Sequence, residues 1–212
     1  MSHQVESLVE LDRQVERLIG LGYPELAGKK EAEFRSLVEP LKYKLAEVKW
    51  FEPDFDEGEL PFVVVVKKTL VDMEKAMEKV ERDGQLGMVN MYPVAPADFE
   101  YIESVEIPTS DVYLLVDIDR GKETLNVRPE DALKLLNKQQ RSPLTIDEGV
   151  AIVTAFPDFL MKNNCFSLLA SRRNDQRVPA IWISQKRPKL GWCWDRNPHT
   201  WLGSAAAGAR LG

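Results

Sequence analysis

Three strand-length segments crowd the last quarter of the chain, CFSLLASR (165–172), VPAIWIS (178–184) and KLGWCWD (189–195), separated only by the polar turns RNDQR and QKRP. Connections this short join antiparallel neighbours, so the region is expected to fold as a three-stranded meander. Direction reversal then sets the 173–177 bend and the exit of the third segment at one end of the sheet. Lys186, Arg187 and Lys189 fall at the other end. Alternation places Leu190, Trp192 and Trp194 on one face of the third segment and Gly191, Cys193 and Asp195 on the other. In the second segment Trp182 shares its face with Val178, Ala180 and Ser184.

The N-terminal half has helical period. Val5, Leu8, Leu11, Val15, Leu18 and Ile19 recur at three- and four-residue steps before Gly20, Gly22 and Pro24 stop the helix. Phe34, Leu37, Val38, Leu41 and Leu45 make a second apolar face over 31–48, which Pro40 should kink or split. FVVVV at 62–66 reads as a strand buried on both faces. Thr69 is placed to cap a helix through Val80, ended by Asp83-Gly84. Residues 85–108 carry no clear period. VYLLVDID (112–119) reads as a strand, Arg120-Gly121 as a turn, and RPEDALKLLNKQQ as a helix with Pro129 in its first turn. Thr145 and Glu148 form a capping box for IDEGVAIVTAF. The tail GSAAAGARLG reads as a frayed, flexible terminus over 204–212.

With 212 residues, 44% hydrophobic and 29% charged, the chain is expected to be one α+β domain over 1–212. Its helical N-terminal part would pack on a mixed sheet ending in the meander. No apolar run approaches the roughly 18 residues that span a bilayer, and the start is charged at short intervals, unlike a leader. A soluble, cytoplasmic protein with no membrane partner is expected. Cys165 and Cys193 make neither a disulfide framework nor zinc-site spacing, so reduced cysteines and no metal are expected. Residues 163–212 hold eight bases against two acids, a surplus of six; the net charge of −6 therefore leaves −12 on residues 1–162. Such a basic end could hold an anion locally, or the two parts could simply neutralise each other.

The densest chemistry lies in GWCWDRNPHTWLG (191–203), which holds three of the five tryptophans and one of the two histidines. With the meander, Arg172, Arg173 and Arg177 should arrive beside Trp194, Asp195, Arg196, Asn197, His199, Thr200 and Trp201. Guanidinium forks beside indole surface suit a carboxylate or phosphate. Trp182 and Trp192 are more simply a core wall, and His199 a packed ring. His199 with Asp195, or with Asp147 or Glu148 brought in by the fold, is the candidate acid–base pairing; Cys193 or Cys165 with His199 is a weaker nucleophilic pairing. Asp147 and Glu148 are sufficiently explained as acids at a helix start. No glycine-rich phosphate loop is present and no cofactor is implied.

GWCWDRNPHTWLG, with RVPAIWIS, PLTIDEGVA, RQVERLIGLGYPELAG, YLLVDIDRG, RPEDAL and KNNCFSLLASRRNDQR, resembles an uncharacterised bacterial, chiefly actinobacterial, family known as a domain of unknown function. The likeness runs from about Arg13 to Gly203, with a gap at 80–108; Ala170 stands where glycine is expected. The resemblance implies no activity, cofactor or catalytic residue. The leading reading is a module binding a small anionic ligand near 172–201. The alternatives are a hydrolase or transferase using His199, a structural or protein-interaction domain, and a single-stranded RNA binder, which the acidic body and the lack of RNA-binding signatures disfavour. Self-association stays open.

Overall fold

The computed structural model describes residues 3–212. Helix α1 (His3–Gly20) buries Leu11, Val15 and Leu18 on one side, as its period requires. The short helices α2 (Tyr23–Leu26), α3 (Glu31–Val38) and α4 (Leu41–Lys44) follow, with Pro40 marking the split between the last two. Strand β1 (Glu59–Val66) is buried at every position but its first. The next helix is shorter than expected: α5 (Met73–Glu78) is capped by Asp72, whose carboxylate accepts from the Lys75 amide at 3.0 Å, not by Thr69. The chain at Thr69 is instead a turn closed on Lys67.

Asp83-Gly84 does not end that helix either. Both residues have positive φ (52° and 71°) and form the two-residue turn between β2 (Glu81–Arg82) and β3 (Gln85–Leu86). Two further two-residue strands, β4 (Met88–Val89) and β5 (Glu100–Tyr101), lead to β6 (Val112–Asp119). Helix α6 (Pro129–Lys138), β7 (Ser142–Pro143) and α7 (Ile146–Ala155) come next. The expected capping box is present: the Glu148 amide donates to Thr145 Oγ1 and the Thr145 amide to Glu148 Oε2. Last come β8 (Cys165–Ser167), β9 (Ser171–Arg172), β10 (Arg177–Ser184), β11 (Arg187–Trp194), β12 (Leu202–Ser204) and β13 (Ala206–Leu211).

The architecture is α+β. One sheet is wholly antiparallel in the order β1-β6-β13-β7; a second, mixed sheet runs β12-β8-β10-β11-β4. Helix α7 is buried on all sides and packs against β1 of the first sheet and β10 of the second. Beyond its acidic first turn the helix is apolar on nearly every side, as a helix inside a molecule has to be. At Gly149 an added Cβ would stand 2.5 Å from the Leu168 side chain, so the helix approaches the second sheet as closely as a bare backbone allows. Helix α1 covers the edge of the first sheet. Its buried Gln14 accepts from the Val64 amide at 2.8 Å and donates to the Phe62 carbonyl at 3.2 Å, closing an edge that would otherwise be unpaired.

The meander forms as β8, β10 and β11, with the two-residue turn Gln185-Lys186 (φ 52° and 64°) joining the last two. After Ser167 the chain leaves it, and β9 pairs with β5 instead. The tail expected to fray is corrected: β13 lies inside the first sheet between β6 and β7, with Ala205 and Ala207 fully buried. Small side chains read as loose in sequence, but here they let the tail pack closely between its neighbours.

Candidate functional site

The arginine-rich bend and the exit of β11 do meet. The Asp195 amide donates to the Gln176 carbonyl at 2.9 Å, and Arg172 Nη2 lies 3.0 Å from Asp195 Oδ2. Arg177 sits over Trp192 and Trp194, 4.6 and 5.2 Å from their ring centroids. Each guanidinium of the bend already has a carboxylate: Arg172 has Asp195, while Arg173 and Arg177 share Asp175 at 2.9 and 2.6 Å. Arg196 points to Glu130 at 3.5 Å, and the Asn197 amide closes a turn on the Trp194 carbonyl. Asn197 and Thr200 are exposed.

His199 and Trp201 go elsewhere, which corrects the expectation of one convergent cluster. Because β12 runs parallel to β8, residues 195–201 must travel back along the sheet before Leu202 pairs with Cys165. Trp201 comes to rest 6.2 Å from Trp182, and the His199 ring 5.0 Å from Trp201. Trp182 pairs with Lys189 and Arg177 with Trp194, so the two aromatic groups occupy opposite faces. Five residues of strand, about 17 Å, also separate Trp182 from Arg177.

The chemistry proposed for His199 loses its partners. Its Nε2 is buried without a hydrogen bond, burial holds its pKa below the ordinary histidine value, and the Asp195 carboxylate is bonded through Oδ2 to Arg172, its Oδ1 being buried without a partner. Burial pushes the Cys193 thiol up to about 11 and raises that of Cys165, so neither is a ready thiolate.

A different set of residues surrounds a cavity of about 400 Å³, among them Lys68, Asp72, Met73, Phe99, Asp147 and Ser171. It is built where β1 ends, α5 begins and α7 begins, with the 95–100 segment as its remaining wall. Asp147 is 1% exposed. Its Oδ2 accepts from the Lys68 amide at 2.7 Å and from the Tyr101 hydroxyl at 2.5 Å, while Oδ1 has no partner. Burial pushes the Asp147 pKa up, against the lowering effect of those two donors. The Tyr101 phenol is pushed far up, by burial first and then by the Asp147 charge. Lys68 Nζ donates to the Phe99 carbonyl at 2.6 Å, lies 3.3 Å from Glu100 and stands 4.8 Å from the Tyr101 ring centroid. Ser171 Oγ accepts from the Ile146 amide at 2.9 Å, tying β9 to the start of α7.

An open groove of about 970 Å³ also borders the β5–β9 ladder and contains Tyr101, Arg172, Arg173 and Arg177. Glu100 lines both spaces. Reading the sequence as a helix start set Asp147 aside. One signal was available: Glu148 completes the capping box alone, and its neighbour Asp147, about 100° further round the helix, has no part in it.

Among the described residues no helix is long and apolar enough to cross a membrane, and no group of three or more His, Cys, Asp and Glu side chains gathers as a metal would need. No curated protein and no solved structure matches the chain. The model of a family of unknown function, DUF5701, matches residues 17–212, and the chain belongs to that family.

Proposed function

We propose that this protein is a small-ligand-binding module whose ligand seats in the cavity at the start of α7. One observation carries the reading: Asp147 is a buried carboxylate with one oxygen unpartnered and is a wall residue of that cavity, whereas Asp195, whose Oδ1 is also unpartnered, lines neither the cavity nor the open groove. Leaving a charged acceptor unpaired away from water costs several kcal/mol in general, and native proteins rarely leave one without a function. A second, smaller void that Asp147 also lines does not supply the missing partner. It measures about 10 Å³ and, apart from Tyr23, its other walls are apolar, whereas a buried water needs two to four polar neighbours.

An anionic ligand held by Arg172, Arg173 and Arg177 is the weaker reading, since it would have to displace Asp195 and Asp175 from guanidiniums they already bind. The same competition weakens a backbone-tracking RNA groove. Acid–base catalysis is a second reading favoured by a specific observation. A buried carboxylate of raised pKa, hydrogen-bonded to a phenol in a cavity, is the environment in which enzymes tune a proton acceptor. In that case Asp147 Oδ1 would take the proton, and His199 would have no part.

The test is a fragment screen observed through the amide spectrum of the isotopically labelled protein. Shifts confined to residues 68–74, 95–101, 146–147 and 171, and abolished by Ala97→Trp at the cavity mouth, are the expected outcome. Saturable shifts centred on 192–201 would move the seat to the tryptophan-rich face and overturn the reading.

A further inference from the structure

Resting on the reading of this cavity as the ligand seat, we propose that its ligand is a small organic cation carrying N–H donors, a primary amine or a guanidine, whose charged head pairs with Asp147. The cavity is lined by four acids, Asp72, Glu74, Glu100 and Asp147, and by one base, Lys68. Lys68 does not neutralise the buried carboxylate. Its ammonium is held by the Phe99 carbonyl, by Glu100 and by the face of Tyr101, and only its backbone amide reaches Asp147. Lys68 and Glu100 thus compensate each other, leaving Asp72, Glu74 and Asp147 unopposed around the space.

Three unopposed carboxylates repel an anion entering a site partly removed from water. A neutral donor such as an alcohol would occupy Oδ1 but leave the buried charge uncompensated. A cation with an N–H does both at once, through a charge-assisted hydrogen bond. A quaternary ammonium supplies the charge and no donor, so it leaves Oδ1 orphaned. The apolar part of the lining, from Met73, Pro96, Phe99 and Ile146, suits a short alkyl stem behind the head group. The Arg172–Arg177 bend adjoins this cavity at Ser171 without lining it, and its guanidiniums are paired with Asp195, Asp175 and Asp98, which offsets their charge toward an incoming head group.

The experiment titrates the labelled full chain with n-butylamine, agmatine, tetramethylammonium, n-butanol and butyrate, following the amides of 68–74, 95–101 and 146–147. Saturable shifts with butylamine and agmatine, far weaker ones with tetramethylammonium and butanol, and none with butyrate are expected. Asp147→Asn should weaken butylamine by about 30-fold or more, the scale of removing one member of a buried charged pair. Glu74→Gln, at an exposed wall position, should weaken it a few-fold and serves if Asp147→Asn fails to fold. Butanol or butyrate filling the cavity as well as butylamine does, or butylamine binding unchanged by both variants, would overturn the cation while leaving the cavity as the seat. Silence at these amides with every probe and with the fragment screen would overturn the cavity reading itself.

Discussion

Arg210 Nε lies 2.5 Å from Glu148 Oε1, in a pair whose side chains are 6% and 0% exposed. The contact joins the last strand to the first turn of the central helix. Glu148 also accepts from the Tyr113 hydroxyl at 2.7 Å, and Arg210 Nη2 donates to the Pro143 carbonyl at 2.8 Å, so β6, β7, β13 and α7 meet at one ionic point. The same helix turn places Asp147 against the cavity. The C-terminal strand is therefore part of what holds the proposed site in position.

Removing one member of such a pair leaves the other charged and buried. Arg210→Met should cost about 3–5 kcal/mol in urea unfolding, and Arg210→Met combined with Glu148→Gln should recover part of that loss. A cost below about 1 kcal/mol for the single variant would mean that β13 is held by its ladder alone and that the ion pair is incidental.

Tyr101→Phe keeps the ring under Lys68 and deletes the donor to Asp147 Oδ2. A hydrogen bond to a charged group contributes about 1.5–3 kcal/mol, and that is the expected loss near neutral pH. The pH dependence has a definite sign. A carboxyl whose folded pKa is raised contributes stability that is complete below the unfolded value, about 3.9, and is lost as pH rises through the folded value. Without the phenol the Asp147 pKa rises further, so the loss extends to higher pH. The gap between variant and parent should be widest at neutral pH and narrow on acidification. A gap that is constant with pH would show that Tyr101 acts through packing and not through the Asp147 charge.

Much of this arrangement was legible because it is local. The Thr145–Glu148 box, the valine run of β1, the split at Pro40 and the turn-separated strands β10 and β11 each announce themselves within a dozen residues. What stayed hidden depends on distant partners. Met88 pairs with Lys189 and Glu100 with Arg172, two-residue ladders that leave no period in the 85–108 stretch. The bend and the exit of β11 met as reversal demands. His199 did not join them, because the parallel pairing of Leu202 with Cys165 sends the intervening loop back along the sheet. Asp147 was set aside for a different reason: an acid at a helix start is expected on the surface, and charge pattern alone cannot report its burial.

His199 supplies a second pH signature, opposite in sign to that of Asp147. Burial lowers its pKa, and no facing carboxylate opposes the shift. A histidine with a depressed folded pKa contributes stability that is present above the unfolded value, about 6.5, and is lost as pH falls through the folded value. The His199 ring protons should titrate below 6.5, and His199→Gln should flatten the fall in stability on mild acidification. A titration midpoint above 6.5 would reveal an acidic partner and reopen the histidine as a proton carrier.

Gly191 ties the histidine to the meander. A Cβ built there would stand 2.2 Å from Cη2 of Trp182 and 3.2 Å from the Asn90 carbonyl, so the outer edge of the Trp182 ring lies against a bare stretch of β11. The rigid indole cannot yield by a small rotation of its tip, because Trp201 backs it and His199 backs Trp201. Gly191→Ala should therefore cost about 1–3 kcal/mol as an overpacking change. It should also shift the tryptophan emission and move the His199 midpoint toward its ordinary value as the stack loosens. Because the cavity at Asp147 does not include this aromatic stack, butylamine affinity per folded molecule should be unchanged. A variant that loses ligand affinity while His199 titrates as before would place the seat beside Trp182 and away from Asp147.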